Sequence, residues 1–264
     1  MKNNFTIGYV ATAISPYFSE EYKVRERSEE NLKKILKDYD VELLSYNKTV
    51  FTKEDSEDAA NFFKDKIDFL LLQTSSCSAG DQLYPLCNIT KKMGLWAVPD
   101  IEKEGDVKLH SLVSVSHYLG IIKKTLSDKK IKTKWFYNYA DTDEFKNKFL
   151  ITVKSLIAQK KLKQSKIGLV GGISPGFDNM LVDNEMIKQN IGISIDEATI
   201  LELVDKAKNF KQSLIDEEIK KIKNAASGIT VSNDDSFNKV TRVYFALKQM
   251  REEQNWDSLA VQCW

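Results

Sequence analysis

Apolar positions along the first part of the chain fall into two alternating patterns. Short, nearly unbroken apolar runs recur at residues 5–11 (FTIGYVA), 41–46 (VELLSY), 67–73 (IDFLLLQ), 95–98 (LWAV) and 134–139 (KWFYNY). Runs of this length and residue type read as strands, and the unbroken ones as strands covered on both faces of a parallel sheet. Between them lie longer charged stretches with apolar residues at helical spacing, such as Val24, Leu32, Ile35 and Leu36 within 20–39. Thr52 is placed to cap a second helix, with Asp55 as its capping-box partner, and that helix turns Ala59, Phe62 and Phe63 toward a core. The pattern further predicts a helix over 83–93 closed by Gly94, a strand or irregular segment over 110–115, and a helix over 116–127.

A helix over 141–162 with neither Gly nor Pro leads into a second alternating series. Strands are predicted at 166–171 (KIGLVG), 191–193, 229–231 and 258–263. Helices are predicted over 178–189, 197–208, 209–225 and 234–253. Strand–helix–strand order repeated twice gives an α/β protein of two Rossmann-like units, each a mostly parallel sheet flanked by helices. The division falls inside the long helix, so residues 1–158 are expected to form an N-terminal domain and 159–264 part of a second. Ligand crevices of open α/β sheets lie just beyond the carboxyl ends of the strands. A chain finishing on such a strand is therefore expected to be a fragment, the alternative being a complete small protein whose last strand sits at a sheet edge.

Composition excludes several classes. Of 264 residues, 42% are apolar and 29% charged, and 39 Lys+Arg nearly cancel 38 Asp+Glu. This balance leaves no electrostatic footprint for nucleic acid or an anionic membrane. No apolar run approaches a membrane span, and no signal peptide is visible. Cys77, Cys87 and Cys263 are an odd set without CxxC spacing, as expected of free thiols in the reducing cytoplasm.

Candidate chemistry gathers after strands. Gln73, Ser75, Ser76 and Asp81 surround the loop following the most apolar strand, where hydroxyls, an amide and a carboxylate suit recognition of a polyol. The same residues, with Ser78, equally suit loop and cap chemistry. Gly168, Gly171, Gly172 and Gly176 follow neither dinucleotide nor P-loop spacing, and Pro175-Gly176 fits the central pair of a type II turn. Asp178 either caps the next helix or faces a crevice. His110 and His117 are the only histidines, and their spacing is not that of a helical metal pair. One of them, His117 at a helix start, suits a sugar hydroxyl. Trp96 reads as core. Trp264 either stacks on a sugar face or covers the core.

Residues 166–180 (KIGLVGGISPGFDNM), followed by IGISI and ILELVD, resemble the opening of the central domain in the L-fucose/L-arabinose isomerase family. Weaker echoes follow in order: LLQTSSCSAGD, LWAVP, HSLVSVSHYLG and the terminal AVQCW. The resemblance implies aldose–ketose isomerisation, in which a divalent metal, typically Mn²⁺, stabilises an enediolate while carboxylates move the proton. It also implies a homo-oligomer whose N-terminal unit roofs a neighbour's pocket. The family's metal ligands lie downstream of the position matching Trp264, so no catalytic or metal-binding residue carries over, and an inactive fragment is expected. The alternative is a non-catalytic sugar-binding or interaction protein with two facing α/β units. A dehydrogenase is more distant, since no dinucleotide fingerprint is present.

Overall fold

The computed structural model describes residues 5–102, 104–230 and 234–262. The chain divides into two compact units, Met1–Ile157 and Ala158–Trp264. Both are α/β with wholly parallel sheets flanked by helices, the architecture that the hydrophobic pattern predicts.

In the first unit, strands β1 (Phe5–Thr12), β2 (Val41–Ser45), β3 (Phe69–Thr74), β4 (Lys92–Ala97) and β5 (Lys132–Tyr137) pair in the order β2-β1-β3-β4-β5. Side chains alternate across the sheet. Ile7, Tyr9 and Ala11 of β1 and Phe69 and Leu71 of β3 enter one core. There they meet Leu32 and Leu36 of α1 (Val24–Leu36) and Phe145, Phe149 and Val153 of α5 (Asp143–Leu162). Val10, Leu70 and Leu72 enter the other core. It is filled by α2 (Lys53–Phe63), α3 (Leu83–Leu86) and α4 (Ser111–Lys124) through Ala59, Phe63, Leu86, Val115, Tyr118 and Ile122. All six residues of β3 are buried, as a central parallel strand requires. Helix α2 opens on the expected capping box, Thr52 Oγ1 accepting from the Asp55 amide at 3.1 Å and Asp55 accepting from the Thr52 amide at 3.2 Å.

Two expectations in this unit change. The helix predicted over 83–93 stops at Leu86, and Gly94 lies inside β4 rather than at a helix end. A Cβ on Gly94 would stand 2.7 Å from Phe69 and 2.9 Å from Phe136, so the glycine admits two aromatic rings against the strand. The segment 110–115 is neither strand nor irregular beyond His110, since α4 starts at Ser111. The Ser/Val alternation there imitates a strand. The buried set Ser111, Ser114, Val115, Tyr118 and Ile122 has helical spacing, and its serines face inward because their hydroxyls are bonded there.

The second unit pairs β7 (Ser194–Ala198), β6 (Lys166–Val170) and β8 (Ser258–Val261) in that order. Its core is small: Val170, Leu203, Ala207, Ala246, Met250 and Trp256. Helices α7 (Ile200–Lys208) and α8 (Gln212–Ala225) both pack on α9 (Asp234–Gln254). The helix expected over 178–189 is broken into a 3-10 turn, Asp178–Met180, and α6 (Asn184–Asn190), which Asp183 caps by accepting from the Met186 amide at 3.0 Å. The strand expected at 191–193 begins at Ser194 instead, after Gly192 with φ of 92°. Ile229 and Thr230 are not in a strand, and Val231 lies outside the described residues. Pro175-Gly176 forms the expected type II turn: Phe177 N donates to Ser174 O at 3.1 Å, with Gly176 at φ of 85°.

Candidate functional site

A parallel sheet ordered 2-1-3-4-5 reverses its winding between β1 and β3, and ligands bind at the carboxyl ends of the strands beside that point. Residues 12–23, 74–79 and 98–110 converge there. The layer nearest the sheet is a set of buried hydroxyls and one buried amide. Gln73 Oε1 accepts from the Tyr9 hydroxyl at 2.5 Å and from Ser75 Oγ at 3.2 Å, while its Nε2 donates to Ser28 Oγ at 2.8 Å. Thr12 Oγ1 donates to Ser78 Oγ at 2.9 Å. The Ser78 amide donates to Ser114 Oγ at 2.7 Å, which ties the β3 loop to α4. Ser111 Oγ donates to Thr74 O and accepts from the Val98 amide at 3.0 Å. Burial holds the Tyr9 and Tyr118 phenols protonated, their pKa values well above the ordinary range.

Above this layer, residues 14–23 cross from β1 toward the loop before α4. Phe18 N donates to Lys108 O at 3.2 Å, and the Lys108 ammonium lies 5.0 Å from the Phe18 ring. The rings of Tyr17 and His110 stack with centroids 6.2 Å apart and planes 8° from parallel. Cys77 is fixed beside them by its amide, which donates to Leu109 O at 2.6 Å. The Tyr17 pKa is raised, first by burial and then by the neighbouring Cys77 thiol. Tyr17, Cys77 and His110 are half-buried and so remain open to solvent at this edge.

Asp100 organises His110. Its Oδ1 accepts from the amides of Lys108 (2.8 Å) and Leu109 (2.7 Å), and its Oδ2 from that of His110 (3.1 Å). His110 takes φ 54° and ψ 31°, a left-handed conformation that is costly for a residue with a Cβ. Three amide bonds to one carboxylate hold it there, and α4 starts at the next residue. Nearby, Ser19 Oγ is buried and has no hydrogen-bond partner among the described residues.

The residues singled out from sequence distribute unevenly. Gln73, Ser75 and Ser76 are at this edge but fully buried, so they shape it from below. Asp81 opens into the 3-10 turn Gly80–Gln82 and is exposed. His117 is exposed on α4 and packs its ring against Gly80, where a Cβ would meet Cε1 at 3.3 Å. Asp178 is exposed in the second unit, where it begins the turn after β6. Trp264 lies outside the described residues. Sequence reasoning passed over Tyr17 and Asp100, and it preferred His117 to His110. The signal that marks His110 is its position immediately before α4 at a strand's carboxyl edge.

Among the described residues, no three His, Cys, Asp or Glu side chains stand where they could share a metal ion. Asp100, which accepts the His110 amide, accepts from backbone amides at both oxygens. These residues do not make a site for the divalent metal implied by the resemblance. Among the described residues, no helix is long and apolar enough to cross a membrane.

No protein-family model matches the chain. Two curated proteins do: the sulfoquinovose isomerases of Priestia aryabhattai and Priestia megaterium, each 20% identical over 200 residues. The matched region is 75% of this chain and 44% of each relative, so the chain spans less than half the length of these proteins.

Proposed function

We propose that this chain is part of a sugar isomerase-like protein of carbohydrate metabolism, and that the carboxyl edge of its first unit contacts the sugar. The observation that carries this reading is the pairing of Tyr17 with His110 over a rigid, hydroxyl-lined switch point. The distant similarity to sulfoquinovose isomerases supports the substrate class. In this reading the Tyr17 hydroxyl and the His110 imidazole hydrogen-bond to sugar hydroxyls. The buried layer of Gln73, Thr12, Ser78 and Ser114 keeps the supporting loops from yielding when the sugar binds. The finer assignment, to the L-fucose/L-arabinose isomerase family, rests on residues 166–180 and is part of the same proposal. So are a cytoplasmic location, a homo-oligomer and a divalent metal held by residues other than those described.

In this proposal the 264-residue chain binds a sugar but does not isomerise it. Calorimetric titration with sulfoquinovose, L-fucose and L-arabinose, each with and without Mn²⁺, tests both parts. Saturable binding of one sugar that is lost in Tyr17→Ala supports the site. Absence of binding by all three overturns it, and turnover of any of them by the purified chain overturns the inactive assignment. Saturable binding that Mn²⁺ leaves unchanged favours the alternative of a sugar-binding protein without chemistry.

A further inference from the structure

No residue from 171 to 202 is buried, although this stretch contains the whole β6–β7 connection and all of β7. The contrast with β3, buried at every position, calls for a physical reason. β7 and β8 lie on opposite sides of β6. Two right-handed crossovers leaving in opposite directions place their helices on opposite faces. The β7–β8 connection carries α7, α8 and α9, and its face holds the core around Trp256. The β6–β7 connection carries only α6, seven residues long, which buries none of them. Hydrogen bonds agree with this division. Glu197 of β7 accepts from Asn184 of α6 at 3.4 Å, while the adjacent Asp196 accepts from Trp256 Nε1 at 3.0 Å on the other face.

Parallel sheets are stable with both faces covered. Here Ile167, Leu169 and Ile195 are left half-exposed on the α6 face. The connection itself exposes Met180, Leu181 (66%), Val182, Met186 and Ile191. Apolar exposure gathered on one connection and the sheet face beside it marks a contact surface. Its charged residues are mostly acidic: Asp178, Asp183, Glu185 and Glu197, against Lys188 within the connection and Lys163 packed on Gly192. A second copy of the chain would bring the same carboxylates against these, and like charges across an interface are unfavourable.

We propose that this face docks an amphipathic helical layer of isomerase-type polypeptide, apolar along the contact and edged by Lys and Arg. The relatives give the scale: more than half of each lies outside the matched 200 residues, ample length for such a layer. The proposal rests on the isomerase reading only for the source of the layer. The face and its charge stand on geometry.

The test uses two synthetic helical peptides of about 18 residues, roughly 27 Å long. One carries a leucine stripe flanked by lysines, the other the same stripe flanked by glutamates. Fluorescence anisotropy with the intact chain should show saturable binding of the lysine peptide and at least tenfold weaker binding of the glutamate peptide. Leu181→Asp with Met186→Asp should weaken the lysine peptide at least tenfold. Ile151→Asp, an exposed apolar site outside this face, should leave it unchanged. All three positions are solvent-exposed, so circular dichroism and melting should match the parent. Equal binding of both peptides, or indifference to Leu181→Asp with Met186→Asp, overturns the proposal. So does a dimer at micromolar concentration that those substitutions dissolve, since the occupant is then a second copy. Sugar titrations of the same variants should be unaffected, which separates failure here from failure of the sugar site.

Discussion

The ring of His110 lies parallel to that of Tyr17, 8° apart, while its own backbone is held left-handed at φ 54°. The two facts have one cause. The left-handed turn at His110 ends the 98–110 loop and starts α4, and it presents the imidazole to the loop that follows β1. Replacing His110 by alanine removes the ring but keeps a Cβ in an unfavourable region, at about 1–2 kcal/mol for that conformation. Glycine removes the ring and the penalty together. His110→Gly is therefore expected to melt at or above the parent temperature and to bind sugar at least tenfold more weakly. Tyr17→Phe should keep the stack and lose only the hydroxyl contact. Unchanged affinity in His110→Gly, measured by calorimetry, would sink the assignment of this ring to the site.

In the proposed site Asp100 acts through His110, because three of the roughly four acceptor positions of its carboxylate are taken by backbone amides. Asn at this position keeps one acceptor oxygen and turns the other into a donor facing an amide. Charge-assisted bonds of this kind contribute about 1.5–3 kcal/mol each, less at a half-buried position such as this one, and a donor left facing a donor adds repulsion. Asp100→Asn should raise amide hydrogen exchange at Lys108, Leu109 and His110 and weaken sugar binding, with the far-UV spectrum unchanged. Exchange indistinguishable from the parent at these three amides would show that the loop does not depend on the carboxylate.

Gln73 is the hub of the buried layer, bonded at both ends of its amide. Gln73→Leu has similar volume but takes away the acceptor of the Tyr9 and Ser75 hydroxyls and the donor to Ser28 Oγ, leaving Tyr9 only its bond to Arg25 O, which is expected to cost about 2–5 kcal/mol from weakened or unpaired buried groups. Tyr9→Phe should cost less, about 1–2 kcal/mol, since Gln73 Oε1 keeps Ser75 as a donor. The hydroxyl of Tyr9 also donates to Arg25 O at 3.2 Å, a carbonyl at the start of α1 that would lose this bond. Urea unfolding of the two variants reads the order. A Gln73→Leu midpoint above that of Tyr9→Phe would contradict the hub.

The parallel, helix-covered layering was legible because β3 and β1 are apolar enough to demand burial on both faces, and because Thr52 and Asp55 announce α2, whereas the strand order was not. What escaped was decided by tertiary contacts. Gly94 looks like a helix stop until Phe69 and Phe136 are placed against it. Ser114 and Ser116 alternate with Val113 and Val115 like the polar face of a strand, and hydroxyls such as those of Ser111 and Ser114 seldom point into a core. Here they do, since Thr74, Val98 and Ser78 supply partners that only the folded chain brings near. At the proposed site, composition of the TSSCS loop says which residue types follow β3 but not how deeply they lie. Gln73, Ser75 and Ser76 are covered, and the groups open to solvent come from the loops beside them. Nothing local in the sequence pairs Tyr17 with His110, which are ninety-three positions apart.

Alkaline pH should loosen the first unit in a defined window. Burial pushes the Cys87 thiol up to about 11 and the Tyr139 phenol up to about 12, and it raises Tyr9 and Tyr118 further. In the unfolded chain the thiol titrates near 8.5 and phenols near 10. The folded state therefore keeps these protons where the unfolded state releases them. Stability falls wherever the unfolded state binds fewer protons. The contribution of Cys87 is fully present below pH about 8.5 and is lost as pH rises toward 11, with the phenols following from about 10 upward. Urea midpoints measured from pH 7.5 to 11 should be level at first and then decline from about pH 9. Cys87→Ala leaves a small cavity and lowers the whole curve, so its diagnostic is the slope: the decline between pH 9 and 10 should become shallower, with the phenol-driven part intact. Iodoacetamide at pH 8 should label Cys77, which is half-exposed, well ahead of the buried Cys87. A parent midpoint that stays level to pH 10.5, or a Cys87→Ala curve parallel to it throughout, would show that burial of the thiol is not what the alkaline transition reads.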